Sequence, residues 1–483
     1  MRGELKDKVT RGVAWGIGEK VSTALVQMGV RILVLRLLMP DDLGVVAILM
    51  AFASFAQVIV DSGFSQTLIR KAEPRPEDYK SVFVFNLAAA ALLYVLLVGV
   101  SPLIASYYDM PAIGEVAPVF FLLLPANALC VIQITLFTRQ FRFALMSKVT
   151  FAASLVGGFT AILMALAGCG VWSIVAQQVV TMMVRAAMLW WLSDWRPRAR
   201  WDRRAIAAMA PYSFSLLATD FISALYNKIP QLFIGKIYNA ETIGYFDQAQ
   251  KLKDLPVSSA MLSVQGVTFP ALSKIADNAP KFAESYRQVL LLVAYAMFPI
   301  MLGMSAIAEE MFAVLLGAKW MPTVPFFRTV CLAGLFTPLA MIAYNVLKVK
   351  GSGGLIVRLE VAKKIVMTIL FALTIPQGVQ AVVWGLVAIA FSEMAVNVGA
   401  SLRFTALTVG RLIRTLLPVL LTAGAMYAAV RGVGLLLPDN AVLRLAVEIA
   451  TGVAVYAGIS ALFRLEAYRE VVGIVRSQLR RNS

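Results

Sequence analysis

The chain has 483 residues, of which 60% are hydrophobic and 15% charged, with a mean hydropathy of +0.79; ordinary globular domains are about 45 to 50% apolar and about 25% charged. This composition excludes a soluble protein and is enough for about fourteen membrane-spanning helices of roughly 20 residues each, leaving little for an extramembrane domain. The net charge is +17 and there is no histidine, which excludes a His-ligated metal, a His general base and a His proton relay.

Cys130, Cys169 and Cys331 stand singly in apolar context, so neither a disulfide nor a metal site is expected. No Gly-rich phosphate loop or dinucleotide fingerprint occurs, and no cofactor is expected. Met1 to Arg11 is charged and is followed by about 26 largely apolar residues, longer than the apolar region of a signal peptide. This first segment is expected to remain as a membrane anchor.

Apolar runs bounded by charge, Pro and Gly predict helices near 12–38, 43–69, 81–105, 113–138, 147–167, 170–193, 206–238, 241–273, 287–308, 323–348, 355–375, 379–403, 412–436 and 442–464. The expected class is an all-α polytopic membrane protein. With the N-terminus inside, thirty Lys and Arg fall in cytoplasmic segments and only five, Arg36, Lys236, Lys319, Arg431 and Arg444, in the opposite loops. That asymmetry predicts fourteen spans with both ends in the cytoplasm, and it accounts for the basic charge without nucleic acid. Glu466 to Arg481 mixes Val471, Val472, Ile474, Val475 and Leu479 with four arginines, the pattern of an interfacial helix on an anionic leaflet and equally of a solvated tail.

The two halves repeat. Asp41 to Gly44 reappears as Glu241 to Gly244, offset by 200; Glu77, Tyr79, Lys80 and Val82 as Glu284, Tyr286, Arg287 and Val289, offset by 207; and Val171, Trp172, Val175 and Ala176 as Val383, Trp384, Val387 and Ala388, offset by 212. The order is kept while the offset grows slowly, which predicts two six-helix lobes, 1–200 and 201–408, followed by two further helices over 409–465 and a tail over 466–483. Six is even, so the repeats are parallel, related by an axis along the membrane normal, as in transporters whose two bundles rock about a site near mid-membrane.

Arg36-Leu37-Leu38-Met39-Pro40-Asp41-Asp42-Leu43-Gly44 resembles the turn after the first helix of Wzx-type polysaccharide flippases, in the multidrug/oligosaccharidyl-lipid/polysaccharide exporter superfamily. Asp61-Ser62-Gly63-Phe64, Ile234-Gly235-Lys236 with Gly244-Tyr245-Phe246, Pro256, Phe269-Pro270-Ala271-Leu272-Ser273 and Gly168-Cys169-Gly170-Val171-Trp172 agree with it. The resemblance implies a V-shaped pair of six-helix lobes. It also implies transport of undecaprenyl-diphosphate-linked repeat units to the periplasmic leaflet of a bacterial inner membrane. Implied partners are the lipid-linked oligosaccharide, membrane lipids, and a polysaccharide polymerase with its chain-length regulator; a monomer is expected, with no nucleic acid.

Charge at bilayer depth costs at least about 2.5 to 3.5 kcal/mol, so each instance needs a partner or an aqueous cavity. Lys20, Thr23, Gln27 and Arg31 form one helical stripe; Asp220, Ser223, Asn227 and Gln231 form another at the same spacing and the repeat offset. Asp247, Lys251 and Asp254 share a face of the eighth helix, with Lys253 beside them and Lys228 next to the seventh-helix stripe. The functional reading places Lys20, Gln27, Arg31, Asn227, Lys228, Lys251 and Lys253 on a diphosphate-bearing substrate, and Asp220 and Asp61 in ion coupling. The bland reading has Arg31 and Lys20 snorkelling to the interfaces and Lys251 paired with Asp247 and Asp254. Glu360, Lys363 and Lys364 are expected to form a structural ion cluster, while Arg185, Arg328 and Glu393 have no partner nameable from the sequence.

Other functions fit less well. A drug/cation antiporter of the same fold requires a net acidic cleft, whereas the first helix carries two cations and no central acid. Lipid II flippases, similar in fold, also use basic residues on the second helix, and 43–69 contains none. Asp41 and Asp42 would be the acids of a membrane-embedded glycosyltransferase or polymerase, but no outer loop exceeds about a dozen residues under these spans, and a helix N-cap explains them. No enzymatic activity is expected.

Overall fold

The computed structural model describes residues 27–61, 63–405 and 407–473, apart from the side chains of 260–267 and 269–271. Among the described residues there are helices and no strands. In chain order they are α1 (27–37), α2 (Pro40–Asp61), α3 (Phe64–Arg70), α4 (Pro76–Tyr108), α5 (Pro111–Phe120), α6 (Leu123–Arg139), α7 (Phe143–Leu166), α8 (Val171–Leu192), α9 (Arg203–Ile237), α10 (Ala240–Lys274), α11 (Ala279–Ala306), α12 (Ala308–Leu315), α13 (Thr323–Lys350), α14 (Gly353–Thr374), α15 (Val379–Ser401), α16 (Val409–Leu436) and α17 (Ala441–Leu462).

Within the described residues every predicted segment coincides with helix, residues 12–26 of the first lying outside them, and eleven stretches there are long and apolar enough to cross a membrane. α10 and α14 are helical and fall outside those eleven; in α14 Arg358, Glu360, Lys363 and Lys364 interrupt the apolar run. The sequence also sets the ends. Pro40, Pro76 and Pro111 open α2, α4 and α5, where a missing N–H costs nothing. Asp202, Asn278, Ser352, Thr408 and Asn440 cap α9, α11, α14, α16 and α17 by accepting backbone N–H bonds.

Two predicted spans are each made of two pieces. The segment near 43–69 breaks after Asp61, and Gly63 takes φ +66° before α3 begins. The segment near 113–138 divides into α5 and α6, at Phe121 and Leu122. Turn-forming Asp61-Ser62-Gly63 was the available signal for the first break; Pro125, which has no N–H for the Phe121 carbonyl four residues back, was the signal for the second.

The chain divides into two compact units that meet in sequence at Gly244 and Tyr245. In the first, Phe64, Leu68, Tyr79, Val82, Phe83 and Ile132 pack with Ala205 and Met209 of α9, and a second cluster joins Cys130, Phe137, Val149, Ala186 and Leu189. In the second, α11, α13 and α16 enclose a core that includes Tyr286, Met297, Met301, Ile342, Val346 and Ala423. The tail begins as helix at Glu466, with Ala467 fully buried in that core. Glu466 accepts from the Arg287 guanidinium, which also holds Glu284.

The turns matched at offset 200 meet in space. A methyl group added at Gly44 would overlap the carbonyl oxygen of Ala240, and one added at Gly244 would overlap the carbonyl oxygen of Pro40. Only glycine allows the first turns of α2 and α10 to approach this closely. The turns are capped differently: Asn239 accepts from Thr242 N–H at 2.8 Å, whereas Asp42, in the third helical position, reaches back to Met39 N–H at 3.1 Å.

Candidate functional site

In the first unit the break between α2 and α3 builds a cavity. A carboxylate at the last residue of a helix faces the negative end of the helix dipole, so Asp61 at the end of α2 needs donors. Asn127 of α6 donates to it at 3.2 Å, and Arg185 of α8 lies within electrostatic reach. α3 is then fixed against α9: Thr67 and Ser213 hydroxyls bond at 2.9 Å, and Gly63 abuts the Ser213 backbone closely.

This packing brings Asp61 and Asp220 to one cavity of about 350 Å³, shared with Ser65, Gln66, Asn127 and Thr135. Its lining contains two carboxylates and no Lys or Arg. Asp220 is exposed, and Thr135 is buried with its hydroxyl spent on the Val131 carbonyl at 2.9 Å. Asp61 and Asp220 are 159 residues apart in sequence, and it is the kink at Gly63 that joins them. A pocket with two carboxylates and neutral hydrogen-bonding groups can hold a proton or a small cation.

The other candidates are distributed. Lys20 lies outside the described residues. Gln27 is exposed and Arg31 half-buried on α1, whose Val30 packs over Gly158 of α7. On α9, Asn227 is exposed, Lys228 half-buried and Gln231 buried. Lys251 pairs with Asp247 at 2.5 Å and Lys253 with Asp254 at 2.7 Å, so the α10 lysines carry counter-charges from their own helix. Lys363 pairs with Glu360 at 2.5 Å and lies over the Tyr344 ring, with Lys364 and Lys363 in electrostatic reach of Glu393. Arg328 finds Glu309 at 3.2 Å. That partner lay beyond sequence reasoning because it comes from a different helix 19 residues away. Among the described residues no group of His, Cys, Asp and Glu has the arrangement of a metal site.

Comparison with known proteins places this architecture. Residues 33–325 match the family described as polysaccharide biosynthesis protein. The succinoglycan biosynthesis transport protein ExoT of Rhizobium meliloti (strain 1021) is 24% identical over 331 residues, 68% of this chain and 67% of that protein. The lipopolysaccharide biosynthesis protein WzxC of Escherichia coli (strain K12) is 22% identical over 347 residues, 68% of each chain. The lipid II flippase MurJ in an inward closed conformation shares the fold with a TM-score of 0.73, at 14% identity, over 95% of this chain and 100% of that one. With more than half its length matched to one family model, this multi-pass membrane protein belongs to the polysaccharide biosynthesis protein family.

Proposed function

We propose that the protein is a transporter, not an enzyme, that moves undecaprenyl-diphosphate-linked oligosaccharide repeat units from the cytoplasmic to the periplasmic leaflet of a bacterial inner membrane by alternating access. The observation that carries this reading is the family match over 33–325, joined to a fold shared with a flippase. The chemistry agrees. A diphosphate crosses hydrocarbon only if other charges replace its water, and charge-assisted hydrogen bonds from Arg and Lys do so. Arg31 and Lys251, with Lys20, Lys228 and Lys253, are the cations proposed for that task, and Gln27 and Asn227 the neutral contacts. Lys251 and Lys253 start from ion pairs with Asp247 and Asp254, so a phosphate must compete with a carboxylate, which favours release over tight retention. Asp61 and Asp220 are proposed to couple transport to an ion gradient. A polymerase and a chain-length regulator are proposed partners, and the transporter is proposed to act as a monomer.

Lipid extraction from a deletion strain tests the class: accumulation of lipid-linked repeat units on the cytoplasmic face is expected, and normal surface glycan with no accumulated precursor would overturn the assignment. The cavity at Asp61 and Asp220 favours a second reading, cation/drug antiport, because its lining is acidic. Efflux of a cationic dye by proteoliposomes, with no effect of the deletion on lipid-linked glycan, would select that reading instead.

A further inference from the structure

The second unit contains a pair of carboxyl groups that the transport reading does not use. Glu448, two turns into α17, is 1% exposed, and Glu310 of α12 is 7% exposed. Both oxygens of Glu448 and the Oε2 of Glu310 have no hydrogen-bond donor, yet the two carboxyls lie within hydrogen-bonding reach of each other. Space for them is made at Gly434 of α16, where a methyl group would overlap Glu448 Oε1.

Arg431 and Arg444 act on Glu448 through space, but each is engaged elsewhere. From α12, burial pushes the Glu309 carboxyl up, but Arg328 of α13 and Arg431 of α16 outweigh that and hold it below the usual carboxylate range, with ion pairs at 3.2 and 3.5 Å. Arg431 also donates to the Ala306 carbonyl. Arg444, one turn before Glu448 on α17, pairs with Asp439 at 2.6 Å and donates to the Leu437 and Pro438 carbonyls. Lys319 is on the short 3-10 turn that packs on α12 and has a contact of its own. The last turns of α11 bring no charge to this end.

Two ionised carboxylates cannot remain side by side, buried and without donors: each would carry an uncompensated desolvation cost, and each would repel the other. From this geometry we infer that Glu310 and Glu448 form a one-proton site, a carboxylic acid donating to a carboxylate, which ties the packing of α12 and α17 to pH. The site is separate from the Asp61 and Asp220 cavity of the first unit, and its ligand is the proton itself. The sign follows from linkage. The folded protein retains a proton that the unfolded chain releases at neutral pH, so stability is greatest on the acid side and falls as the medium turns alkaline, by up to about tenfold in the folded-to-unfolded ratio per pH unit.

The test uses the full-length protein in lipid nanodiscs. Infrared difference spectra at neutral pH, wild type minus Glu448→Gln and wild type minus Glu310→Gln, should each show one protonated carboxyl stretch that shifts in deuterium oxide. Wild-type thermal stability should decline on the alkaline side, and both variants should lose that slope. Absence of the protonated band from both difference spectra overturns the proposal. So does a wild-type stability at alkaline pH that is restored by sodium and not by choline at equal ionic strength, which would assign a metal cation to the pair. If either glutamine variant fails to fold, the other supplies the difference spectrum, and the wild-type pH and sodium series stands without them.

Discussion

At the carboxyl end of α3, four carbonyls converge on one guanidinium. Arg139 donates to the oxygens of Leu68, Ile69, Lys71 and Ala72 at 2.8, 3.0, 2.7 and 3.1 Å, supplying the donors that a helix terminus lacks and a positive charge at the negative end of its dipole. Arg139→Ala is expected to lower stability by about 2 kcal/mol, the scale of hydrogen bonds to a charged group. Arg139→Lys should recover only part, because an ammonium cannot match a planar fork spread over four oxygens. Thermal unfolding in detergent measures both. The Arg287 cluster behaves differently. Its hydrogen bonds, together with its charge, hold the Glu466 carboxyl below the usual range. The stability Glu466 contributes is therefore fully present above the ordinary carboxylate value and is lost as pH falls through the depressed one. Glu466 is half-exposed, so solvent screening keeps the effect small. Glu466→Gln should flatten the acid limb of the stability profile slightly and make the tail after Leu462 more accessible to protease.

At the scale of elements, the helices were legible because apolar runs bounded by Pro, Gly and charge are a local signal, and the caps at Asp202, Asn278, Ser352, Thr408 and Asn440 lie in the same local sequence. What was not legible depends on pairing across the chain. The Arg139 clamp joins positions about 70 residues apart, and the meeting of Asp61 with Asp220 depends on a kink between α2 and α3 that an apolar window smooths over. Both acids were still nominated from the sequence, since a carboxylate in a spanning helix is costly enough to need a reason. If the cavity between α2, α6 and α9 couples transport, Asp61→Asn and Asp220→Asn should each reduce gradient-driven transport in proteoliposomes at least about tenfold (about 1.4 kcal/mol) while leaving substrate binding intact. Wild-type dependence on the imposed gradient in both variants would remove the cavity from that role. The cations on α1 and α10 make a separate case. Arg31→Ala and Lys251→Ala, expressed at wild-type levels, should lose most glycan export, and Arg31→Lys should keep part of it. Wild-type export by both alanine variants would make these charges interfacial anchors.

For the molecule as a whole, the distribution of Lys and Arg predicts that reporter fusions after Arg75, Arg200 and Arg411 report cytoplasm and those after Asp109, Glu241 and Asp439 report periplasm. One clear inversion would break the fourteen-span topology and the parallel repeat with it. The reciprocal fit of Gly44 on Ala240 and Gly244 on Pro40 bears on the same question from another direction. A contact in which position i of one copy meets position j of the other, and j meets i, is the signature of an isologous interface, the kind a two-fold homodimer makes. The contact between these two turns has that reciprocal form, with each glycine seated on the backbone of the other turn. A bulkier residue at either glycine is expected to damage both contacts together, and pairing it with a bulkier residue at the other should add injury, not compensate, because each glycine faces backbone that no side-chain exchange can remove.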